Sequence, residues 1–467
     1  MSGNNGVYGD ESPIAAFATM PGNSALTLIR CSGKRSIEII SSVFKPAKIK
    51  DAAGNTVVHG WIVSADEKID EVLVSVFRAP KSYTGEDSLD ICCHGGNTAG
   101  KAVMRTLNFA GFRDALAGEF TFRAFMNGKL DFTKSESVME LVSAKTETGR
   151  RHALERLCGS LLEEIDAIKK SLVQVLAAAE IYLDYSEDEI GTDTDEAAGR
   201  LPNRDIASQA LERLKKLSAS WQLERLYQEG VTVVIAGRPN AGKSSLFNSL
   251  LKEDRSIVTE IPGTTRDWIE AWVSFKGIPV RLVDTAGLRD TGDSVEKIGV
   301  ERSRKLIDEA NLVLYLIDGE QGVTKEDADF SCNRRLFVWN KADIAPLREA
   351  VLPRGFEFAA NSVVSVSAKT GEGIAELTSA VVSWISRLEG LQQDYAPVSL
   401  GTERQKTLVD SACRALEEAF DLADREEPLD LIAPLLREAV NSLAEITGEV
   451  STADILEEMF SRFCVGK

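Results

Sequence analysis

Between residues 231 and 384, short apolar runs recur at 231–236, 280–283, 312–317, 336–339 and 363–366, each β-rich and separated by helix-compatible sequence. Near-continuous apolar runs of this length suit strands buried on both faces of a parallel sheet, so this stretch predicts an α/β unit. The chain before it is helical in pattern. Thr133 and Glu136 have capping-box spacing ahead of an apolar run. Leu154, Leu157, Leu161, Ile168, Leu172, Val175, Ala179 and Tyr182 then keep a three–four spacing, which predicts one stripe on one long helix. Glu164 interrupts that stripe, and Ile165 can take its place with a small rotation. Residues 191–204 are polar and read as a loop, followed by another helix to about 228. Residues 1–128 mix β-type runs at 26–30 and 72–77 with glycine turns, the texture of a small α+β domain. After 385 the chain is helical to its end, and Ile455, Leu456, Met459, Phe460 and Phe463 form an apolar face that predicts a docked terminal helix.

The expected architecture is therefore multidomain. An N-terminal α+β domain (1–128) precedes an α-helical central domain in two parts (129–229 and 385–467), into which an α/β domain (230–384) is inserted. With no apolar run of about 18 residues, no membrane span is expected, and the first twenty residues have no signal-peptide pattern. Seven scattered cysteines without a CxxC, and only three histidines, argue against structural zinc and for reduced thiols in a cytoplasmic chain. A net charge of −18 means that any contact with nucleic acid needs a local patch or a partner.

The chemistry is concentrated in the α/β unit. The run 237–244, GRPNAGKS, fits GxxxxGK[ST] between a strand and a helix. Backbone N–H groups from Asn240 to Ser245, including those of Ala241 and Gly242, wrap the α- and β-phosphates; Lys243 reaches the β- and γ-phosphates, and Ser244 ligates Mg²⁺. Asn340, Lys341 and Asp343 form a base-reading loop, in which the Asp343 carboxylate accepts two hydrogen bonds that guanine offers and adenine does not. Ser367, Ala368 and Lys369 form the loop that closes over the base, so the inserted unit (230–384) is expected to be a Ras-like α/β P-loop G domain. Asp284, Thr285, Ala286 and Gly287 end a strand, with Asp284 holding Mg²⁺ through water and the Gly287 amide sensing the γ-phosphate. Leu288 stands where Ras-type enzymes carry the Gln that orients the attacking water, and a Leu cannot do so. The loop of Thr259, Glu260, Ile261, Pro262, Gly263, Thr264 and Thr265 supplies Thr265 as a second Mg²⁺ ligand. Its carbonyls at Thr259 and Ile261, beside Asn240, can surround a potassium ion whose charge replaces that of an arginine finger.

These motifs, with HGG, GEFTFRAFMNGKLD, TEIPGTTRD, DTAGLRD, NKAD, SAKTGEG, EITGE and the terminal FCVGK, resemble the bacterial tRNA-modification GTPases of the MnmE (TrmE) family over essentially the whole chain. The resemblance implies a homodimer whose G domains pair when potassium and GTP are bound. It implies potassium contacts from Asn240, Thr259, Ile261 and Thr264, and a water-orienting role for Glu296; the bland alternative for Glu296 is a solvated acid at a helix start. It further implies a tetrahydrofolate derivative, of the 5-formyl or 5,10-methylene type, bound through Arg30, Asp90, Lys129 and Lys467. Two departures stand out: Asp90 where the family usually has Glu, and MPGNSA at 20–25 where it typically reads PPGRGG. Cys464 matches the cysteine required for modification, as nucleophile or as proton donor, against the alternative of a small apolar residue closing a helix. His94 can line the pocket, but a hydrogen-bonded structural role is the preferred reading. The implied activity is potassium-stimulated GTP hydrolysis that, with the flavoprotein MnmG and tRNA, serves the addition of an aminomethyl-type group to C5 of the wobble uridine. A ribosome-assembly GTPase without modification chemistry is the competing reading.

Overall fold

The computed structural model describes residues 8–20, 22–65, 67–184, 201–253, 269–284, 305–330, 332–347, 363–388, 398–450, 453–463 and 465–466. They belong to two compact units, Met1–Met139 with Arg156–Leu214 and Thr407–Lys467, and Glu140–Glu155 with Lys215–Lys406.

In the first unit a seven-stranded sheet is built from β1 (Ile14–Phe17), β2 (Leu26–Ser32), β3 (Phe44–Lys45), β4 (Thr56–Ser64), β5 (Glu67–Phe77), β6 (Ser88–His94) and β7 (Arg113–Asp114). Their order is β3-β4-β5-β6-β2-β1-β7, antiparallel except for the β1–β7 pair. Alternate residues Ile29, Cys31, Val72, Val74, Val76, Leu89, Ile91 and Cys93 point to one face. There they meet Ile37 and Ile40 of α1 (Ser36–Val43) and Val103, Met104 and Leu107 of α2 (Asn97–Ala110) in a hydrophobic core. The same alternation puts Leu28 and Arg30 of β2, and Asp90 of β6, on the opposite face.

A short helix, α3 (Glu119–Met126), follows the sheet. Its start is held by a buried ion cluster. Glu119, fully buried, accepts from Arg113 Nη2 and from Arg123 Nη2 at 2.8 Å, and Arg123 also reaches Glu86 at 3.2 Å.

The remaining helices on either side of the α/β unit are α4 (Phe132–Ser143), α5 (Glu147–Leu157), α6 (Ser160–Asp184) and α7 (Arg204–Glu229) before it. The expected cap at Thr133 is displaced by two residues. Asp131 is the capping residue, its Oδ1 accepting from the Lys134 amide at 2.9 Å and from Thr133 Oγ1. The single long helix also needs correction. The stripe breaks at Cys158 and Gly159, where Gly159 has φ +109°, a conformation open to glycine and costly for other residues. From Leu161 onward the stripe holds: Leu161, Ile165, Ile168, Leu172, Val175 and Ala179 are all fully buried, while Leu154 and Tyr182 are exposed. Ile165 takes the core position as expected, and Glu164 turns outward to meet Arg213 at 2.7 Å.

In the second unit a six-stranded sheet comprises β8 (Val231–Gly237), β9 (Ile269–Phe275), β10 (Ile278–Asp284), β11 (Leu312–Asp318), β12 (Arg335–Asn340) and β13 (Val363–Ser365). The order is β13-β12-β11-β8-β10-β9, parallel except for the antiparallel edge β9. Odd and even positions feed two separate cores. Val233, Ile235, Leu312, Leu314 and Leu316 pack with α8 (Lys243–Glu253) on one side. Val234, Ala236, Val313, Tyr315 and Ile317 pack on the other. This is the doubly buried sheet that the apolar runs predicted. Helices α9 (Lys325–Asp329) and α10 (Ile374–Leu388) also belong to this unit.

The chain closes with α11 (Glu403–Asp424), α12 (Leu429–Thr447) and α13 (Ala453–Ser461). Helix α13 docks within the first unit. Phe460, fully buried, meets the rings of Phe122 (5.4 Å), Phe125 (6.3 Å) and Tyr8 (6.3 Å), and Phe463 lies 5.3 Å from Phe460. A methyl group placed on Gly466 would lie 2.4 Å from the Phe17 carbonyl oxygen, so the end of the chain lies against the end of β1.

Candidate functional site

Strand β8 delivers the chain to its carboxyl end at Gly237, and α8 begins at Lys243, so residues 238–242 form a loop at the edge of a parallel sheet, where such folds place ligands. The loop is tightly specified. Gly242 has φ +95°, and a Cβ there would lie 2.2 Å from Asn340 Nδ2. Asn240 takes φ +65°. Lys243, nearly buried, donates from Nζ to the carbonyls of Gly237 (3.0 Å) and Arg238 (2.8 Å), which holds its ammonium inside the loop. Ser244 Oγ donates to Asp284 Oδ2 at 2.8 Å, with Asp284 buried at the end of β10. A hydroxyl and a carboxylate converging at a helix start fit the donor set of Mg²⁺, a hard oxygen-seeking cation.

The base-reading loop joins this one through a single buried side chain. Asn340 Nδ2 donates to the Ala241 carbonyl at 2.7 Å, and its Oδ1 accepts from the Ala368 amide at 3.1 Å. Asn340 therefore ties the phosphate loop to the closing loop. The two base loops are also joined by the Ala342 amide, which donates to Val366 O at 3.1 Å. Lys341 Nζ donates to Asp318 Oδ2 (2.9 Å) and Glu320 Oε2 (2.7 Å); Glu320 first, then Asp318, push its pKa up. Asp343 follows in an exposed position, free to present its carboxylate. Ser367, fully buried, accepts the Thr370 amide at 3.2 Å and shapes the turn that carries Lys369. Ser245, Asn248 and Lys252 on one side, and Ala368, Lys369 and Thr370 on the other, line a cavity of about 570 Å³. Asn240, Ala241, Gly242, Lys243, Ser244, Ser245, Asp284, Asn340, Lys341, Asp343, Ser367, Ala368 and Lys369 are thus gathered along one edge of the second sheet. Thr259, Glu260, Ile261, Pro262, Gly263, Thr264, Thr265, Thr285, Ala286, Gly287 and Glu296 lie outside the described residues.

A second constellation lies on the uncovered face of the first sheet. Arg30 and Asp90 are direct cross-strand partners, joined by Nε to Oδ1 at 3.0 Å. The Arg30 guanidinium sits 5.6 Å from the ring centre of Tyr83, whose hydroxyl is 2.9 Å from Thr121 Oγ1. Lys129 Nζ donates to the Pro80 carbonyl at 3.1 Å, and Asn127 Nδ2 to Thr84 O at 2.7 Å. The segment 80–84 is thus held at its two ends by residues 127 and 129. The Arg30 guanidinium beside the Tyr83 ring, with the Asp90 carboxylate paired to it, suits a flat ligand with hydrogen-bonding edges and an acidic tail. Cys464 and Lys467 lie outside the described residues; their neighbours Phe463 and Gly466 are docked. His94 is exposed and hydrogen-bonded: Nδ1 meets Asp70 Oδ1 at 2.7 Å, and this carboxylate pushes its pKa up.

Sequence reasoning missed Tyr83, Thr121 and Arg238. For Tyr83 the signal was an aromatic residue within SYTGED, a loop otherwise rich in turn formers.

A parallel sheet with a phosphate loop, a Mg²⁺-type hydroxyl–carboxylate pair and an Asn–Lys–x–Asp base loop defines a guanine-nucleotide-binding P-loop protein. The description MnmE helical domain matches residues 132–464, and GTP-binding protein TrmE N-terminus matches residues 13–129. The chain is 43% identical to the tRNA modification GTPase MnmE of Treponema denticola, over 99% of each chain. It is 40% identical to that of Carboxydothermus hydrogenoformans, over 98% of this chain and all of the relative. The chain belongs to the MnmE family. Among solved structures, Era of Aquifex aeolicus is 23% identical over 40% of this chain and 66% of its own, with a TM-score of 0.27. The G domain of T. maritima FeoB is 29% identical over 33% of this chain and 98% of its own, with a TM-score of 0.25. No helix among the described residues is long and apolar enough to cross a membrane.

Proposed function

We propose that this chain is a potassium-stimulated GTPase that works as a homodimer with the flavoprotein MnmG on tRNA. The reaction served is addition of an aminomethyl-type group, such as carboxymethylaminomethyl, to C5 of the wobble uridine. Lys243 and the amides of 240–245 bind the phosphates, and Asp343 selects guanine. Ser244, Thr265 and, through water, Asp284 would hold Mg²⁺. Asn240, Thr259, Ile261 and Thr264 would hold potassium, and Glu296 would orient the attacking water. The bound cations supply the positive charge that a developing phosphoryl transition state requires. Arg30, Asp90, Lys129 and Lys467 would position a tetrahydrofolate derivative, with Cys464 nearby as nucleophile or proton donor.

The observation that carries this reading is the docked end of the chain. Phe460 and Phe463 pack on α3, and Gly466 lies against β1, the strand beside the one that bears Arg30. A G-domain switch without carbon chemistry needs no such arrangement. The expected result is that GTP hydrolysis runs faster in potassium than in sodium, and that Asn240→Ala erodes the difference. Equal rates of the unmodified protein in both salts would count against the cation site. Modification of tRNA by this chain without the flavoprotein would refute the partnership.

A further inference from the structure

The second residue of the phosphate loop has a role that the loop's consensus leaves open. Arg238 is clamped from the side by the segment after β11. Its Nε donates to Asp327 Oδ1 at 3.1 Å, Nη1 to Gln321 Oε1 at 3.0 Å, and Nη2 to the Gly322 carbonyl at 3.1 Å. Asp327 is fully buried at the start of α9. Its Oδ2 accepts the Thr324 amide (2.8 Å) and Thr324 Oγ1 (2.9 Å), closing a capping box. Its Oδ1 accepts Tyr315 Oη at 3.1 Å as well as Arg238. Burial first, and the Asp327 carboxylate next, push the Tyr315 hydroxyl up, so it remains a donor. Four donors thus saturate the two carboxylate oxygens, and a buried carboxylate with all its acceptor sites filled is a rigid anchor.

What the anchor holds is the peptide unit that carries Lys243. The carbonyl of Arg238 accepts Lys243 Nζ at 2.8 Å, and the carbonyl of Gly237 accepts it at 3.0 Å. Pro239 follows, which narrows the backbone choices of residue 238 and couples its side-chain direction to its carbonyl direction. The capping box alone would satisfy α9; the Oδ1 side of Asp327 serves the loop.

We propose that Arg238, anchored by Asp327, is a positioning residue that sets the placement of Lys243 and so the affinity for the nucleotide's phosphates rather than for its base. This rests on the guanine-nucleotide reading of the loop. It predicts that Arg238→Gln and Asp327→Asn each lower GDP and GTP affinity by about 10–100-fold, the scale of a sub-ångström to ångström displacement. The double variant is no weaker than the weaker single one, because both break one contact. Arg238→Lys, which keeps the charge but loses the fork, recovers part of the loss. The preference for GTP over XTP stays unchanged, since Asp343 is untouched.

The test is titration of the full chain and each variant with fluorescent GDP, with competition by GTP and XTP, reported per folded binding site. If Asp327→Asn does not fold, Arg238→Gln carries the test, because its side chain lies closer to solvent. A wild-type chain that binds no guanine nucleotide would overturn the site itself. Wild-type binding with Arg238→Gln within twofold of it, additive losses in the double variant, or a base preference that shifts together with affinity would each overturn the positioning role alone.

Discussion

Replacing Phe460 by Ala isolates the docking of the terminal helix. Phe460 is fully buried, and it touches four aromatic rings, those of Tyr8, Phe122, Phe125 and Phe463. Truncating a buried Phe to Ala costs about 3–5 kcal/mol, part transfer and part cavity. Little of that cavity can close, because Phe122 and Phe125 are fixed on α3, whose first turn is tied down by the Arg113–Glu119–Arg123 cluster. At about 1.4 kcal/mol per factor of ten, the docked population of α13 falls by about two to four orders of magnitude relative to its undocked form. The assay is hydrogen exchange read by mass spectrometry. Amides within 453–463 should lose about 100-fold or more of their protection. Amides of β11 in the other unit should keep theirs and serve as an internal reference. Unchanged protection at 453–463 would show that the aromatic cluster does not hold the helix. An equal loss in both units would show that the substitution acts globally and that docking is not a separable event.

Two further outcomes follow from the same geometry. Burial alone would raise the pKa of Glu119, but Arg113, the Leu116 amide and Arg123 outweigh it and hold the carboxyl below the ordinary range. Its contribution is therefore complete at neutral pH and is lost as pH falls through that depressed value, below about 4.3. Glu119→Gln should cost about 3–5 kcal/mol at pH 7 and flatten the acid limb of the melting profile; a parallel profile would exclude the cluster as its cause. Asp343→Asn should weaken GTP binding by about 10–100-fold, since guanine's ring N–H and amine then lose an ionised acceptor, and should improve XTP binding. Competition titrations check this, and an unchanged GTP:XTP ratio would remove Asp343 from base selection.

The parallel sheet was legible because strands buried on two faces need apolar side chains at every position, as β11 shows along its length. The phosphate and base loops were legible because each motif sits at a strand end, where the fold confers its meaning. Other features were not. The edge strand β9 and strands β4 and β6 carry mixed sequences, since a strand with one open face tolerates His59, Asp90 or Cys92. The helix break at Gly159 was hidden because the apolar stripe continues on both sides of it, and periodicity registers rotation but not a kink. Asp131 was overlooked as the cap because Thr133 and Glu136 have the same spacing logic two residues later. The Arg30–Asp90 pair depends on strand register, which no local pattern states. Arg238 meets Asp327 across 89 residues, a pairing that only the folded sheet creates.

The central claim, that GTP turnover serves carbon chemistry finished at the chain's terminus, is tested most directly in cells lacking this chain and complemented by the unaltered protein or by Cys464→Ser. Mass analysis of wobble nucleosides, with GTP turnover of the purified proteins measured alongside, gives the answer. The account predicts that the aminomethyl-type uridine disappears without the chain, returns with the unaltered protein, and stays absent with Cys464→Ser although GTP is still hydrolysed. Full modification in cells carrying Cys464→Ser, or in cells carrying no copy at all, would contradict it.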